Sequence, residues 1–340
     1  MPAYAEHTVT EILLERPGLI RVRLDDGSRA YGLTQLTGSA VVGDRVVVNT
    51  TAVDRGLGTG GWHVIHWNLT AGPFSAPGPG HLMKLRYTSV QVDAGAAEED
   101  DPDGPDELDG TPVVVAGLHS HLPVVAAAIA AERPGTRVVY VMTDGGALPL
   151  AMSDVVAALT ERGLLAGTVT AGHAFGGDLE ALNVPSALAS ARHRLGAEVI
   201  IVAMGPGVAG TGSRLGYTAL EVAPALDAVA WMGGRPIACL RVSGADARHR
   251  HQGISHHTRT ALDAVRSEVD IARPPGVGVV GDRHRWHDID PGDPASMLEA
   301  AGLRVTTMGR GPDLDPDFFA AAAAAGMLAA RWATPRDGDH

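Results

Sequence analysis

The sequence contains almost no lysine. Lys84 is the single lysine among 27 basic side chains, which leaves 26 arginines (27 minus 1). The arginine excess, together with 43 glycines and 22 prolines, is typical of GC-rich codon usage and carries little chemical meaning. We expect Lys84 to contact a ligand, as a point charge or a Schiff-base amine, or else to guard an edge strand against aggregation.

Cysteine is equally scarce. Cys239 lies in the apolar run PIACLRV, where we expect a buried strand residue rather than a nucleophile. A single cysteine excludes both an intrachain disulfide framework and a cysteine-based zinc site.

Excess basic charge and long apolar segments are missing as well. The net charge of −12 argues against nucleic acid or an anionic membrane as a partner, because both need a basic face. The longest apolar run, AAAAAAGMLAA over 320–330, is too short to span a bilayer. The N-terminus MPAYAEHTVTEI has no basic region before an apolar stretch, so we expect no signal peptide and a cytoplasmic location.

Residues 1–75 are predicted to form a small β-barrel of the SH3 or OB kind. Tight turns such as Asp26-Gly27 separate short runs rich in β-branched residues. These runs are HTVTEILLE, LIRVRLDD, RAYGLT, DRVVVNTTAV and WHVIHWN.

Residues 76–110 are predicted to join this barrel to a second domain. The Pro/Gly-rich stretch 71–80 reads as a linker, and LMKLRYTSVQVD over 82–93 alternates like a strand. Residues 93–110 hold nine Asp or Glu in 18 positions. We interpret them as a solvated loop, because they lack the fixed spacing of a calcium-binding loop.

Residues 111–340 alternate between apolar strand runs and helical segments. The strand runs are continuously apolar, as in a sheet that is covered on both faces. We predict a doubly wound, mostly parallel α/β sheet. Its strand runs, each with the loop that follows, are TPVVVAGL, RVVYVMTDGG, GTVTAGHAFGGD, AEVIIVAMGPGVAGTG and PIACLRVSG.

Ligands of such sheets bind at the carboxyl ends of the strands. Histidines, glycines and aspartates concentrate in the loops at these ends. We therefore predict a ligand crevice there, with His119, Asp144, His256 and His257 as the catalytic candidates.

Glycine-rich loops predict an anion site in this crevice. In GPGVAGTGSR the glycines allow close backbone approach, and free N–H groups at a helix start attract anions. The alternative is that this segment is only a tight structural crossover. Its glycine spacing matches neither a Walker loop nor a dinucleotide-binding fingerprint. The predicted ligand-binding residues are Lys84, Gly176, Gly177, Gly205, Gly207, Gly210, Gly212, Arg214 and Ser255.

Ser255 is a good helix N-cap, which places His256 and His257 in the first turn. A helix dipole there favours the neutral imidazole that a base or a metal ligand requires. The alternative is a pair of ordinary loop histidines whose hydrogen bonds are satisfied.

A divalent metal such as zinc, manganese or iron is a candidate cofactor. The candidate ligands are His119, His173 and Asp178, with Asp144 and one of His256 and His257 as further donors. No short motif fixes this set, so it depends on loops that converge in the fold.

Six motifs carry a resemblance to a known family: GLGTGGWH, GPGHLMKLRYT, MTDGGALP, AFGGDLEALNV, GPGVAGTGSRLG and GISHHT. They resemble an uncharacterised bacterial family, domain of unknown function 3866 (DUF3866), over nearly the whole chain. The resemblance implies no activity, because none is established for the family.

The block from Gly167 to Gly207 is also similar in layout to the α/β part of component B of the glycine, sarcosine and betaine reductases. That resemblance implies an α/β fold and an N-terminal β region. The chemistry of these reductases needs a pyruvoyl group that is made from cysteine, and it also needs a cysteine or selenocysteine. Because Cys239 is the single cysteine of this chain, we do not expect that activity here.

Our leading hypothesis is an enzyme that acts on a small phosphorylated or carboxylated metabolite. The alternatives are a non-catalytic binding or regulatory protein that uses the same crevice, and an interaction module built on the barrel. A homodimer is plausible.

Overall fold

The computed structural model of the chain describes residues 1–76 and 78–334. Pro77, in the predicted linker, and residues 335–340, at the end of the predicted α/β segment, lie outside the described residues. The chain divides into two compact units, Met1–Gly95 and Ala96–His340.

The first unit contains a closed β-barrel, which confirms the barrel prediction. Alternation builds its core, since Val22 and Leu24 are buried while Arg21 and Arg23, which precede them, are only partly buried. Two short helices, α1 (Thr34–Thr37) and α2 (Thr51–Asp54), lie in the connections. The strands are β1 (Tyr4–Arg16), β2 (Leu19–Leu24), β3 (Arg29–Gly32), β4 (Arg45–Asn49) and β5 (Trp62–Asn68).

The barrel is not a simple meander. Its strand order is β1-β2-β3-β5-β4, and β4 closes the barrel by pairing with β1. The β3–β5 pair is parallel, whereas the other pairs are antiparallel.

The predicted strand over 82–93 is wrong. The segment forms a short hairpin of β6 (Met83–Lys84) and β7 (Val92–Asp93). Leu85 and Tyr87 adopt φ values of 52° and 61°, in the left-handed region, so the chain cannot stay extended. The Lys84 side chain is fully buried.

In the described residues, the second unit is built on an eight-stranded sheet in which all neighbouring strands are parallel. This confirms the predicted α/β class. The sheet order is β11-β10-β9-β12-β8-β13-β16-β17. The strands are β8 (Pro112–Ala116), β9 (Val138–Thr143), β10 (Gly167–Ala171), β11 (Leu179–Ala181), β12 (Val199–Met204), β13 (Arg235–Cys239), β16 (Asp270–Arg273) and β17 (Arg285–Asp288). A separate hairpin, β14 (Val242–Ser243) with β15 (Gly253–Ile254), follows β13.

Helices cover both faces of this sheet. One face packs against α3 (Leu122–Glu132), α4 (Asp154–Glu161), α8 (Pro294–Ala300) and α9 (Pro316–Trp332). The other face packs against α5 (Val184–His193), α6 (Val222–Trp231) and α7 (His256–Ala264). Within the described residues, none of these helices combines the length and the apolar character that a bilayer crossing requires.

Adjacent central strands send the chain to opposite faces. After β8 the chain enters α3, whereas after β12 and β13 it enters helices on the other face. β8 pairs directly with both β12 and β13. Connections that diverge in this way open a crevice at the carboxyl ends of the strands, which is where ligands of open α/β sheets bind.

Candidate functional site

A cleft of about 550 Å³ opens at the carboxyl ends of the central strands. The loops after β8, β12 and β13 line it, together with the segment 304–308. Among its described lining residues there is no Asp or Glu. The polar side chains that line it are His119, Ser120, Arg241, Arg248, Arg250, His251, His257, Arg304, Thr306 and Thr307.

Asp246 does not line the cleft, but it holds two of these arginines in place. Its carboxylate accepts two hydrogen bonds from Arg248, at 2.9 and 2.8 Å, and a longer one from Arg241 at 3.4 Å. The hydrogen bonds from Arg248 hold the pKa of this buried carboxyl well below its usual range. Asp246 is therefore ionised near neutral pH, but one negative charge cannot balance both arginines.

A second buried carboxylate supports the first. Asp315 accepts hydrogen bonds from Ser243 at 2.7 Å and from Arg310 at 3.0 Å. The Ser243 hydroxyl oxygen accepts the backbone N–H of Asp246 at 3.0 Å. Arg310 also lies 3.8 Å from Asp246. The positions of the cleft arginines are thus set by a buried polar network.

Three histidines pack together at the edge of the cleft, and we call His251, His256 and His257 the histidine group. Their ring centroids lie 4.9, 4.8 and 4.3 Å apart. One ring nitrogen of each lies within 4.8 Å of the other two. Burial, reinforced by nearby arginines, lowers all three pKa values, to about 4 for His251 and about 3 for His257. Neutral imidazoles therefore face the cleft near pH 7.

Neighbouring residues fix these rings. The Ser255 hydroxyl lies 2.7 Å from His251 Nδ1 and accepts the backbone N–H of His257 at 3.2 Å as the N-cap of α7. Tyr217 stacks on His257 with 3.8 Å between the ring centroids, and its hydroxyl donates to the His257 carbonyl. His256 Nε2 is buried without a hydrogen-bond partner among the described residues.

His119 is held at both ring nitrogens. Nε2 lies 2.7 Å from Ser153 Oγ, and Nδ1 lies 3.2 Å from the Met204 carbonyl oxygen. The carbonyl can only accept, so Nδ1 carries the proton and Nε2 accepts the serine hydroxyl. Burial lowers the pKa of His119 to about 4. The cleft therefore contains a neutral, oriented imidazole whose two nitrogens are already engaged.

The described residues do not bring the predicted metal set together. His119, His173 and Asp178 are absent from the groups of three or more His, Cys, Asp or Glu side chains whose ligand atoms lie within 4.8 Å of one another. Asp178 accepts the backbone N–H of Thr168 at 2.8 Å, near the start of β10. It lies there because the chain turns back after β10 and forms the parallel strand β11.

Two of the predicted glycines sit in that same turn. The Gly176 N–H donates to Glu180 at 2.6 Å. A Cβ on Gly177 would lie 2.8 Å from the Leu179 carbonyl oxygen. These contacts give both glycines a structural role in the connection between β10 and β11.

The glycine-rich loop after β12 lies partly in the cleft. Gly207, Gly210 and Gly212 line it, and Gly207 and Gly212 adopt φ values of 97° and 83°. Such left-handed backbone favours glycine. The helix α6 begins only at Val222, so the loop does not lead directly into its N-terminus.

The remaining predicted residues lie outside the cleft lining. Asp144 accepts the His173 backbone N–H at 3.0 Å. Arg214 is exposed and lies 3.5 Å from Asp263. Lys84 belongs to the first unit, so its proposed ligand contact stays a prediction.

Sequence reasoning missed Arg241 and Glu221. Arg241 follows an apolar strand run and looks like part of it, but in the structure it is buried beside the Asp246 carboxylate and lines the cleft. Glu221 lies just before α6, hydrogen-bonded to the Thr143 hydroxyl. Burial, with a smaller effect of Asp144, raises the pKa of Glu221 to about 7. A lone glutamate at a helix start gives no sequence signal for such a shift.

Comparison with known protein families matches residues 29–326 to a family described as "Protein of unknown function (DUF3866)". The chain belongs to the DUF3866 family. No curated protein matches it. The match extends from β3 in the barrel to α9. The match therefore covers part of the first unit, without β1 and β2, and most of the second unit of this DUF3866 chain.

A second cavity of about 550 Å³ runs along α5 in this DUF3866 protein. The acidic segment forms one wall, with Glu98, Asp101, Asp106 and Glu107 in the lining. Arg194 binds Asp100 at 2.9 Å, so this part of the predicted solvated loop is fastened to the end of α5. Its carboxylates make this cavity unsuitable for an anion, unlike the cleft.

Proposed function

We propose that this DUF3866 protein is an enzyme that acts on a small phosphorylated or carboxylated metabolite in the cleft. The observation that carries the proposal is the lining itself. Arg241, Arg248, Arg250 and Arg304 line one cleft whose described lining has no carboxylate. Positive charge focused in a cleft attracts a small anion even when the whole chain is acidic.

The arginines would bind the anion. Arg248 and Arg241 are presented by Asp246, and guanidinium groups bind phosphate and carboxylate oxygens through paired N–H donors. The left-handed backbone at Gly207 and Gly212 allows a ligand to approach the main chain closely.

Neutral imidazoles would supply the acid–base chemistry. His251 and His257 line the cleft, and their lowered pKa values leave them unprotonated near pH 7. An imidazole in this state can accept a proton from a bound substrate. His119 would pass a proton only by exchanging its hydrogen bond with Ser153. The catalytic role of Asp144 stays a prediction.

The alternative is a non-catalytic binding or regulatory protein. The engagement of both His119 nitrogens favours it, because a fully satisfied imidazole needs no catalytic explanation. A cytoplasmic location, the absence of nucleic acid and membrane partners, and a homodimer stay predictions under either function.

Calorimetric titration of tag-free protein with phosphate and sulfate tests the anion site. A panel of phosphorylated and carboxylated metabolites then identifies a substrate by turnover. We expect Arg248→Ala to weaken anion binding at least about tenfold, as loss of a charged hydrogen-bond donor does. Arg162→Ala is the control, because Arg162 caps the far end of α4. Equal affinity of wild type and Arg248→Ala would contradict the proposal.

His257→Ala separates the enzyme from the binder. An enzyme loses turnover of the metabolite and largely keeps its affinity. A binding protein has no turnover to lose, and the substitution changes affinity alone.

A further inference from the structure

We propose that His251, His256 and His257 bind one divalent transition-metal ion of the zinc type. Its open coordination position faces the cleft. The site differs from the metal set predicted from sequence, and it includes His251, which the sequence did not single out.

Convergence of two chain segments makes this site. His256 and His257 occupy the first turn of α7, whereas His251 comes from the short helical turn His249–His251 before β15. Successive helical residues diverge by about 100°, but the rings of His256 and His257 turn towards each other, with their centroids 4.3 Å apart. His251 supplies the third donor, with one nitrogen of each ring within 4.8 Å of the others.

The rings are close to a ligating arrangement. A tetrahedral zinc ion with Zn–N bonds of about 2.0–2.1 Å requires nitrogens about 3.3 Å apart. The observed limit of 4.8 Å means that no pair of these nitrogens has to approach by more than about 1.5 Å to reach that separation.

His256 Nε2 is the second observation. It is buried and has no hydrogen-bond partner among the described residues. Buried polar atoms nearly always have a partner, so this ring nitrogen, set between two other imidazoles, is available to bind a metal ion. When His251 Nδ1 donates to Ser255, its Nε2 likewise presents a lone pair.

The donor set selects the ion. Three imidazole nitrogens suit zinc, copper, nickel or ferrous iron, and they suit magnesium and calcium poorly. Three protein ligands leave one position open in a tetrahedral site. His251 and His257 line the cleft, so this position is accessible from it. A bound ion would supply Lewis-acid chemistry to a ligand there, and it would replace the base role proposed above for His251 and His257, because a coordinated imidazole nitrogen has no lone pair left for a proton.

The arginines couple this ion to an anion. Arg241 Nη1 lies 3.4 Å from His257 Nδ1, and Arg250 lines the same cleft as His251 and His257. These cations repel a bare metal ion. An anion in the cleft neutralises them and gives Arg241 a better acceptor, so each ligand strengthens binding of the other. The metal site itself stands on the histidine group, whereas this coupling rests on the proposed function.

The test is a titration of tag-free full chain, freed of metal, with Zn²⁺ by calorimetry and Co²⁺ by visible absorption. We expect one ion per chain and a four-coordinate Co²⁺ spectrum. His256→Ala and His256→Gln should each weaken Zn²⁺ binding at least about tenfold, because one of three ligands is lost. Arg250→Gln should strengthen it, because a repelling charge is removed. Saturating sulfate should strengthen it in the wild type.

His249→Ala is the matched control. His249 lies two residues from His251 in the same turn, but it is outside the histidine group. We expect its Zn²⁺ affinity to equal that of the wild type. A wild type without a stoichiometric site, or a His256→Gln protein that binds Zn²⁺ like the wild type, overturns the metal site.

Sulfate separates the two proposals. Stoichiometric Zn²⁺ binding that sulfate does not change keeps the metal site and counts against the anion-binding function. Sulfate binding that requires Arg248, in a protein that takes no metal, keeps that function and removes the metal site.

Discussion

Gly146 and Gly205 pack backbone against backbone. A Cβ on Gly146 would lie 2.2 Å from the Gly205 carbonyl oxygen, and a Cβ on Gly205 would lie 2.2 Å from the Ala147 carbonyl oxygen. The loop after β9 and the loop after β12 thus meet at a point that has no room for a side chain. Gly205, predicted from sequence to cradle a ligand, has a packing role that needs no ligand.

Gly205→Ala should destabilise the second unit by about 1–3 kcal/mol, because the two loops must separate to admit a methyl group. Urea unfolding measures the change. Gly278→Ala is the control, since a Cβ there meets nothing within 4 Å and the backbone is not left-handed. Equal stability of the two variants would show that the loops separate freely.

Asp246→Asn should weaken anion binding although Asp246 does not line the cleft. The amide keeps the shape of the side chain but loses the charge that holds Arg248 in place with two hydrogen bonds. We expect roughly a tenfold loss of phosphate affinity in calorimetry, equivalent to about 1.4 kcal/mol. Unchanged affinity would mean that Arg248 needs no positioning, and unchanged thermal stability would separate this effect from misfolding.

Glu221 should make the protein less stable as the pH rises. Its folded pKa of about 7 exceeds the ordinary value of 4.5, so the folded state holds an extra proton between these pH values. Stability is then lost as the pH rises from 4.5 to 7. Glu221→Gln removes this loss, which amounts to at most about 3 kcal/mol above pH 7.

Urea unfolding of Glu221→Gln and wild type at pH 5 and pH 8 tests this effect. The stability advantage of the variant should grow between these two pH values. A constant difference would mean that the glutamate is ionised at pH 5 in the folded protein.

His121 should make the protein less stable in acid. It is fully buried and stacked on Phe318, and neither ring nitrogen has a hydrogen-bond partner among the described residues. Burial lowers its pKa to about 3, so the unfolded state binds the extra proton between pH 6.5 and 3. Stability is therefore lost as the pH falls through this range.

His121→Leu should reduce that loss. The difference in free energy of unfolding, variant minus wild type, should be more favourable to the variant by about 2 kcal/mol at pH 5 than at pH 8. The pH dependence is the readout, because any packing cost of leucine is the same at both pH values. Parallel stability curves for the two proteins would contradict the buried neutral imidazole.

Patterns of apolar residues predicted the fold because they depend on local rules. Continuous runs such as VIIVAM can be buried on both faces only in a covered sheet, and alternation in LIRVRL marks a strand with one face in a barrel core. The rule for strand ends likewise predicted that His119 and the loop after β12 would meet at one edge of the sheet, and both line the cleft there.

The composition of the site depends on contacts that local patterns do not encode. The three-residue strand β11 has no apolar run of its own, so the sequence does not reveal it. The chain turns back before β11, and this turn carries Asp178 away from the carboxyl edge of the sheet to Thr168. The role of Arg241 likewise requires Asp246, which meets it across a loop. The sequence did not predict the hairpin of β6 and β7, because alternation of side chains does not reveal left-handed backbone at Leu85 and Tyr87.

The close contact between α3 and α9 has a consequence for biosynthesis. A Cβ on Gly326 of α9 would lie 2.6 Å from the Val125 carbonyl oxygen of α3, and Glu132 and Arg331 at their ends pair across 199 residues of sequence. A ribosome releases α3 long before its partner exists. The apolar face that these helices cover together therefore remains open to water, and to neighbouring nascent chains, until translation has passed α9.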